Sequence, residues 1–376
     1  MTKGQQQLLE RYGHGGDLTT ASEVYGRDAG QFLDFSANMN PFGPPPSIAA
    51  VLRQYAEHIQ RYPDPAVRQL RAELGRMHRV DPDALLVGNG AAELIDLTFR
   101  VLRPSVTVLA VPCFNEYADA ALKSGSQLRT IALTPDNHFQ LRPEQLKQML
   151  AALKEDGFAA GDALWFFGSP NNPTGQLVAP ELIRDLLQAG ERVVLDEAFM
   201  EFIPEAASCS LLAEAAGSRQ LIVIRSLTKF YAIPGIRLGY MAAHPDLIKE
   251  LWDLQIPWSV NSLAQQIGAA VLNERDYEAR TIAWLAQKRP QLAGQLQALG
   301  LQVYQGKANY ILLSIPLEMN LTATQLQQAL GRRGILIRDA SLFDGLDQTY
   351  CRVAVRSEAE NALLITALAD VLEERR

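Results

Sequence analysis

The stretch SLTKFYAIPGIRLG, residues 226–239, decides the fold of this chain. It follows a short apolar run that favours a β-strand. Lys229 supplies an amine, and Ser226 and Thr228 supply two hydroxyl groups beside it. Arg237 adds a guanidinium near the end of the stretch. Lysine forms an imine with an aldehyde, while hydroxyl and guanidinium groups hold a phosphate through charge-assisted hydrogen bonds. The stretch therefore indicates a loop that binds an aldehyde cofactor bearing a phosphate, although a single lysine in a polar loop is more often an exposed surface residue.

The composition is that of an ordinary globular protein of about two domains. The chain has 376 residues, of which 48% are hydrophobic and 20% are charged. Its net charge of −7 provides no basic surface for nucleic acid or for an anionic membrane. The polar start of the chain and the lack of a membrane-length apolar run predict a cytoplasmic protein. Any anionic substrate must therefore be met by local positive charges.

The cysteines and histidines have no metal-binding pattern. Cys113, Cys209 and Cys351 are far apart, and none belongs to a C-x-x-C motif. The five histidines show no ligand spacing either. We therefore expect no metal, and we interpret the cysteines as small buried hydrophobic residues.

Between residues 83 and 244, short apolar runs alternate with helical patterns. Apolar runs of this length between helices are typical of buried strands in a mostly parallel sheet. The predicted strands are 85–87, 106–111, 128–131, 163–167, 193–195 and 221–224. The predicted helices between them include 91–101, 143–154 and 180–188. This part of the chain is therefore predicted to be a layered α/β domain.

The pattern changes after a long helical stretch, 260–299, which we expect to be interrupted near Pro290. The elements predicted beyond it are strands 303–304, 310–313, 335–337 and 351–355 and helices 324–332 and 357–373. Ser357 and Glu360 have the spacing of a capping box at the start of the last helix. The predicted divisions are an N-terminal segment (1–50) that packs on the small domain, a large cofactor-binding domain (51–275) and a smaller α+β domain (276–376).

Two further polar residues follow strands of the predicted large sheet. Asp196 comes directly after 193–195, and a carboxylate there can pair with a pyridinium nitrogen and keep it protonated. Asn172 lies in the tight turn 171–175, where its amide can donate to a phenolate oxygen of the same ring. Each is weak evidence alone, because strand-end aspartates also bind metals or ribose and most turns are structural. The combined spacing of Asn172, Asp196 and Lys229 is specific.

On these residues the chain resembles the fold-type I pyridoxal-phosphate (PLP) enzymes of the aspartate aminotransferase superfamily, over nearly its whole length. The resemblance implies a large α/β/α domain with a mostly parallel sheet, a smaller α+β domain, PLP carried by Lys229, and a homodimer. It implies a PLP-binding set of Gly90, Ala91, Ala92, Phe114, Asn172, Asp196, Ser226, Thr228, Lys229 and Arg237.

Within that set, Gly90, Ala91 and Ala92 would offer backbone N–H groups at a helix N-terminus to the cofactor phosphate, although both alanines lack the hydroxyl that many relatives have. Phe114 would stack on the ring, with core packing as its ordinary alternative. Tyr62 would reach the phosphate of the neighbouring subunit, with a surface turn as its alternative.

Within the superfamily, the chain is most similar to the threonine-phosphate decarboxylases of cobalamin biosynthesis and then to the histidinol-phosphate aminotransferases. HGGD (14–17) and FSANMNP (35–41) resemble segments of the decarboxylases. That likeness implies that His14 and the backbone N–H of Gly15 meet a substrate phosphate and that Asn38 lies near the substrate. Phe199 stands where the aminotransferases usually carry a tyrosine that donates to the ring phenolate.

Two arginines near the C-terminus suit a substrate with two anionic groups. Arg338 follows the predicted strand 335–337, and Arg352 lies 14 residues further on, which fits adjacent strands with both guanidinium groups on one face. The resemblance implies that Arg352 receives the α-carboxylate and that Arg338, with His14, receives the phosphate. Surface salt bridges are the ordinary alternative, and we keep that interpretation for Arg356.

The resemblance thus implies PLP-dependent decarboxylation of O-phospho-L-threonine to (R)-1-aminopropan-2-yl phosphate and CO2, with Lys229, water or Tyr117 as proton donor to the α-carbon. A histidinol-phosphate aminotransferase would use the same lysine, aspartate and arginines, and its need for a keto acid would distinguish it. A PLP-fold regulatory domain is disfavoured by the acidic charge and by the presence of Lys229 and Arg352. O-Phosphoserine differs from O-phosphothreonine by one methyl group, and the residues do not decide between them.

Overall fold

The structure is a computed structural model that describes residues 15–374. Its strands are β1 (Leu33–Asp34), β2 (Leu85–Gly88), β3 (Val106–Val111), β4 (Gln127–Ala132), β5 (Ala163–Gly168), β6 (Arg192–Asp196), β7 (Leu221–Ser226), β8 (Gly239–Ala242), β9 (Gln302–Val303), β10 (Tyr310–Ser314), β11 (Ile335–Leu336), β12 (Arg338–Asp339) and β13 (Tyr350–Ala354). Its α-helices are α1 (Leu18–Tyr25), α2 (Pro46–Tyr55), α3 (Arg68–His78), α4 (Ala91–Leu102), α5 (Glu116–Lys123), α6 (Pro143–Glu155), α7 (Pro180–Gln188), α8 (Ala206–Cys209), α9 (Leu212–Ala215), α10 (Leu227–Phe230), α11 (Pro245–Leu254), α12 (Ser262–Val271), α13 (Arg275–Ala298), α14 (Ala323–Arg332) and α15 (Glu358–Glu373).

A seven-stranded sheet forms the centre of the larger part of the molecule. Its strand order is β2-β8-β7-β6-β5-β3-β4. Strand β8 runs in the opposite direction to the other six strands of this sheet. Strands β2, β3, β5 and β7 are buried along their full length, as expected for strands covered by helices on both faces. The carboxyl ends of β2, β3, β5, β6 and β7 therefore meet at one edge of this sheet.

A second, antiparallel sheet has the order β12-β13-β10-β9. The N-terminal segment contacts this part of the chain: β1 pairs in parallel with β11, and the Phe35 backbone bonds to Leu336 and Ala354. Helix α15 begins at the predicted capping box, since the Ser357 hydroxyl donates to Glu360 over 2.6 Å and accepts from the Glu360 N–H. The predicted boundaries at 50 and 275 stay predictions.

The structure corrects three details of the predicted elements. The helical stretch 260–299 is interrupted at 272–274, between α12 and α13, and Pro290 lies inside α13, because an interior proline can kink a helix without breaking it. The predicted strand 335–337 is divided between β11 and β12, which belong to different sheets. Strand β8 was not predicted. Within residues 15–374, no helix is long and apolar enough to cross a membrane.

Candidate active site

A cavity of about 500 Å³ lies at the carboxyl edge of the large sheet and is closed on the other side by the small sheet. Ligands of open α/β sheets bind at this edge, where the residues that follow successive strands converge. The predicted site residues that line the cavity are Gly15, Asn38, Gly90, Ala91, Ala92, Phe114, Asn172, Asp196, Ser226, Thr228, Lys229, Arg237, Arg338 and Arg352. Among the predicted site residues that the structure describes, Tyr62 is the exception.

Lys229 reaches the cavity from α10, a single helical turn that follows β7. Its Nζ donates to Ser226 Oγ over 3.2 Å, and Ser226 Oγ lies 2.8 Å from Thr228 Oγ1. Burial lowers the pKa of Lys229 and the charge of Arg237 lowers it further, although Asp196 opposes both effects. A lowered pKa favours the neutral amine, which is the form that attacks an aldehyde.

Asp196 ends β6 and is held from two sides. Its Oδ1 accepts the Ala198 N–H over 2.9 Å, and its Oδ2 accepts the Tyr117 hydroxyl over 2.8 Å. Burial raises the pKa of Asp196, while the Tyr117 hydrogen bond and the charge of Lys229 work in the opposite direction. Tyr117 is itself buried, and its ring stacks on Phe166 with 4.3 Å between centroids. Tyr117 thus supports the carboxylate, a role that its sequence position did not suggest.

Asn172 is oriented by an arginine from the small sheet. Its Oδ1 accepts a hydrogen bond from Arg352 Nη1, and Arg352 Nη2 donates to the Ser36 carbonyl over 2.7 Å. A guanidinium has only donors, so the Asn172 amide must turn its oxygen towards Arg352. Its NH₂ group is then left to donate elsewhere, as the predicted contact with a ring phenolate requires.

The opposite end of the cavity is suited to an anion. Helix α4 begins at Ala91 with Gly90 as its N-cap, and the first N–H groups of a helix attract a phosphate. A Cβ at Gly90 would lie 2.7 Å from Arg237 Nη2, so only glycine lets this guanidinium approach the helix end. Gly90 also has a φ of +82°. A helix N-terminus, a guanidinium and two hydroxyls at one end, with Lys229 and Asp196 beyond, fit PLP.

Arg338 and Arg352 face the cavity side by side. They are direct partners in the antiparallel pair β12–β13, so their side chains leave the same face of the sheet, as predicted. Only 3% of Arg338 and 5% of Arg352 is exposed. The guanidinium carbon of Arg352 lies 5.3 Å from the centroid of the Tyr310 ring, and that of Arg338 lies 5.5 Å from the centroid of the Phe343 ring. Two buried cations on one wall are chemically suited to two anionic groups of one ligand.

The N-terminal segment completes the wall beside these arginines. A Cβ at Gly15 would lie 2.3 Å from the Ser36 carbonyl oxygen, so this close approach requires glycine. Asn38 is buried, and within the described chain its Oδ1 has no hydrogen-bond partner. A buried acceptor of this kind at a cavity wall is suited to a ligand donor. His14 lies outside the described residues.

Tyr62, Arg356 and Tyr117 do not line this cavity. Tyr62 is 82% exposed, and its ring packs on that of Trp258 with 5.3 Å between centroids. Arg356 pairs with Glu360 at 2.6 Å, in line with the ordinary interpretation given to it. Tyr117 does not line the cavity and donates its hydroxyl to Asp196, which leaves Lys229 and water as the proton donors to consider.

The comparisons with known proteins agree with this geometry. Residues 30–368 match the family described as aminotransferase class I and II. The chain belongs to this family. Membership confirms the predicted fold class, and with it the prediction of a PLP-dependent enzyme.

Within the aminotransferase class I and II family, similar proteins include both branches that the sequence resembles. The chain is 38% identical to the threonine-phosphate decarboxylase of Salmonella typhimurium, over 96% of each chain. It is 34% identical to the histidinol-phosphate aminotransferase of Roseiflexus castenholzii, over 95% of this chain and 93% of that one. The crystal structure of L-threonine-O-3-phosphate decarboxylase from Porphyromonas gingivalis superposes with a TM-score of 0.78 at 27% identity, over 90% of this chain and 99% of that chain.

Proposed function

We propose that this chain decarboxylates O-phospho-L-threonine to (R)-1-aminopropan-2-yl phosphate and CO2 with PLP as cofactor, for the nucleotide-loop branch of cobalamin biosynthesis. The observation that carries the proposal is the buried pair Arg338 and Arg352, which shares one cavity with Lys229. The pair offers two cationic sites, which match the carboxylate and the phosphate of this substrate. The near full-length likeness to the decarboxylase of Salmonella typhimurium supports the reaction type.

The residues of the large sheet hold the cofactor. When bound, PLP supplies an electron sink for the electron pair released when a bond to the substrate α-carbon breaks. Lys229 would bind PLP covalently through its amine, and the Asp196 carboxylate would hold a proton on the ring nitrogen. The amide of Asn172 would donate to the ring oxygen. The N-terminus of α4, Arg237, Ser226 and Thr228 would hold the phosphate, and Phe114 would stack on the ring.

The residues of the small sheet and of the N-terminal segment orient the substrate. Arg352 binds the α-carboxylate, and Arg338 binds the phosphate through its planar fork of donors, with His14 and the Gly15 N–H as further partners. Asn38 accepts a hydrogen bond from the substrate. A bound phosphate limits how the substrate can rotate about its α-carbon. The binding energy of the phosphate thereby helps to select which bond of the α-carbon is cleaved.

Proton return to the α-carbon is assigned to Lys229 or to water. Lys229 lines the cavity that would receive the substrate, whereas the Tyr117 hydroxyl is engaged with Asp196. Phe199 places an apolar ring 5.9 Å from Lys229 Nζ and adds no further donor.

The proposal includes a homodimer in which Tyr62 reaches the cavity of the partner subunit. Tyr62 packs on Trp258, and Ile59 and Ile256, which lie close to these two residues in the sequence, are 71% and 68% exposed. Exposed apolar patches mark protein contacts. The measured mass in solution tests this part of the proposal, and a monomeric holoenzyme that turns over at full rate would refute it.

The decisive assay supplies PLP and O-phospho-L-threonine without any keto acid and measures CO2 and the amine formed. Stoichiometric CO2 and aminopropanol phosphate are expected. The other candidate is a histidinol-phosphate aminotransferase, which the relative from Roseiflexus castenholzii favours. Amino transfer from histidinol phosphate to 2-oxoglutarate, without CO2 release from O-phospho-L-threonine, would establish that candidate instead.

A further inference from the structure

Phe343 is an apolar side chain of the cavity that neither the cofactor nor the anion sites use. Its ring lines the cavity and is 3% exposed. The ring lies 5.5 Å from the guanidinium carbon of Arg338, within the range of a cation–π contact. Tyr310 has the corresponding place beside Arg352 but does not line the cavity. Of these two aromatic partners, Phe343 alone can touch a substrate.

The loop that carries Phe343 is held in one conformation. The N–H and hydroxyl of Ser341 both donate to Asp339 Oδ1, over 2.9 and 2.6 Å, and Thr324 donates to Asp339 Oδ2 over 2.6 Å. The Phe343 N–H donates to the Ala340 carbonyl over 3.1 Å. A loop fixed in this way gives the cavity a wall of defined shape, and such a wall can distinguish substrates that differ by a small group.

The same loop docks against the large sheet. Asn115 Nδ2 donates to the Leu342 carbonyl over 3.4 Å. Gly345 lies beside the end of β3, where a Cβ would make an ordinary van der Waals contact of 3.6 Å with Pro112 N. The apolar wall is therefore supported from both sides of the cavity.

The chemistry of the substrate places its methyl group beside this wall. In O-phosphothreonine the methyl group and the phosphate oxygen are bonded to the same carbon. A phosphate held by Arg338 therefore keeps the methyl group within a few bonds of this arginine, and Phe343 is a cavity-lining side chain that packs on it. Apolar contact there favours the methylated substrate, because removing a methyl-sized apolar group from water is favourable.

We propose that Phe343 determines specificity by forming the apolar subsite for the substrate methyl group, an inference that rests on the proposed function. It makes the enzyme prefer O-phospho-L-threonine to O-phospho-L-serine. Discrimination of a single methylene-sized group in an apolar pocket is typically tenfold or somewhat more, so we expect a preference of about tenfold in kcat/KM.

The test compares the two substrates in the wild type, Phe343→Ala and Phe343→Leu. The ratio of the two kcat/KM values cancels any loss common to both substrates, such as a shift of Arg338. We expect the ratio to fall to about two or below in Phe343→Ala and to an intermediate value in Phe343→Leu. Leu342→Ala is the matched control, since this neighbour is 48% exposed, does not line the cavity and should leave the ratio unchanged.

Calorimetry gives a second measurement that needs no turnover. The two ligands are 1-aminopropan-2-yl phosphate and 2-aminoethyl phosphate, which differ only by the same methyl group. The ratio of the holoenzyme's affinities for them should fall in Phe343→Ala. CO2 release with an unchanged substrate ratio in both Phe343 variants would overturn the specificity role. If the wild type released no CO2 from O-phospho-L-threonine or from O-phospho-L-serine, the proposed function would be rejected instead. The ratio of the calorimetric affinities would still decide whether Phe343 recognises the methyl group.

Discussion

The side chains on the two walls of the cavity are positioned in different ways. On the large-sheet wall, Asn172, Asp196 and Lys229 follow three different parallel strands, and the common direction of those strands brings them together. On the small-sheet wall, Arg338 and Arg352 are placed by one cross-strand pairing of an antiparallel sheet. The proposed function assigns the cofactor to the first wall and the substrate to the second. Substitutions on each wall should therefore have separable effects.

The largest effect is expected for Lys229→Ala, which removes the covalent attachment on the large-sheet wall. Turnover should fall by on the order of a thousandfold or more, and the visible absorbance of the lysine-bound cofactor should disappear. Absorbance spectra and the CO2 assay measure both effects. Lys249→Ala, at an exposed lysine, is the control, and turnover retained by Lys229→Ala would refute the role of this residue.

Arg338→Ala should damage only the small-sheet wall. Loss of one partner of a buried charged contact typically costs about 2–5 kcal/mol, so binding of O-phospho-L-threonine should weaken roughly 30-fold or more. Binding of unphosphorylated L-threonine should change much less, and the cofactor spectrum should not change. Arg356→Ala is the matched control, because Arg356 pairs with Glu360 outside the cavity. Equal losses for both ligands would mean that Arg338 does not recognise the phosphate.

Tyr117→Phe should act on the large-sheet wall alone, through Asp196. It removes the hydroxyl that donates to Asp196 Oδ2, and a hydrogen bond to a charged group contributes about 1.5–3 kcal/mol. We expect PLP affinity to fall about tenfold or more and the ¹⁵N shift of the bound ring nitrogen to move towards its unprotonated value. Tyr310→Phe removes another buried hydroxyl, one that donates to the Asn171 carbonyl, and should leave that shift unchanged. A merely structural role of Tyr117 would give the same result for the two variants.

The smallest effect concerns pH. Burial and Arg237 lower the pKa of Lys229 below its ordinary value of 10.5, and only the neutral amine captures an aldehyde. The rate at which the apoenzyme captures PLP should therefore rise with pH and level off before pH 10.5. Asp196→Asn removes a charge that raises the pKa of Lys229, so the midpoint of the pH profile for PLP capture should move to lower pH in this variant. A wild-type midpoint at or above 10.5 would contradict the electrostatics described for this wall.

The large-sheet wall was the more predictable of the two from sequence. Asp196 and Lys229 follow recognisable apolar strands, and parallel strands deliver their following residues to one edge, so order along the chain nearly determines position. The 14-residue spacing of Arg338 and Arg352 correctly indicated a shared face.

Other features depend on contacts between distant segments. The Tyr117–Asp196 hydrogen bond joins residues 79 positions apart, and the packing of Phe343 on Arg338 depends on how a loop folds back. Strand β8 was missed, and Pro290 misled because an interior proline does not always break a helix.

The most direct test of the central claim is to count turnovers per active site without a keto acid, in D₂O and with O-phospho-L-threonine as the only substrate. A decarboxylase regenerates its lysine-bound cofactor each time, so many equivalents of aminopropanol phosphate should form, each with one solvent deuterium on the carbon that lost CO2. A reaction that stops after about one equivalent per site, with a keto product and no CO2, would contradict the account and identify an aminotransferase.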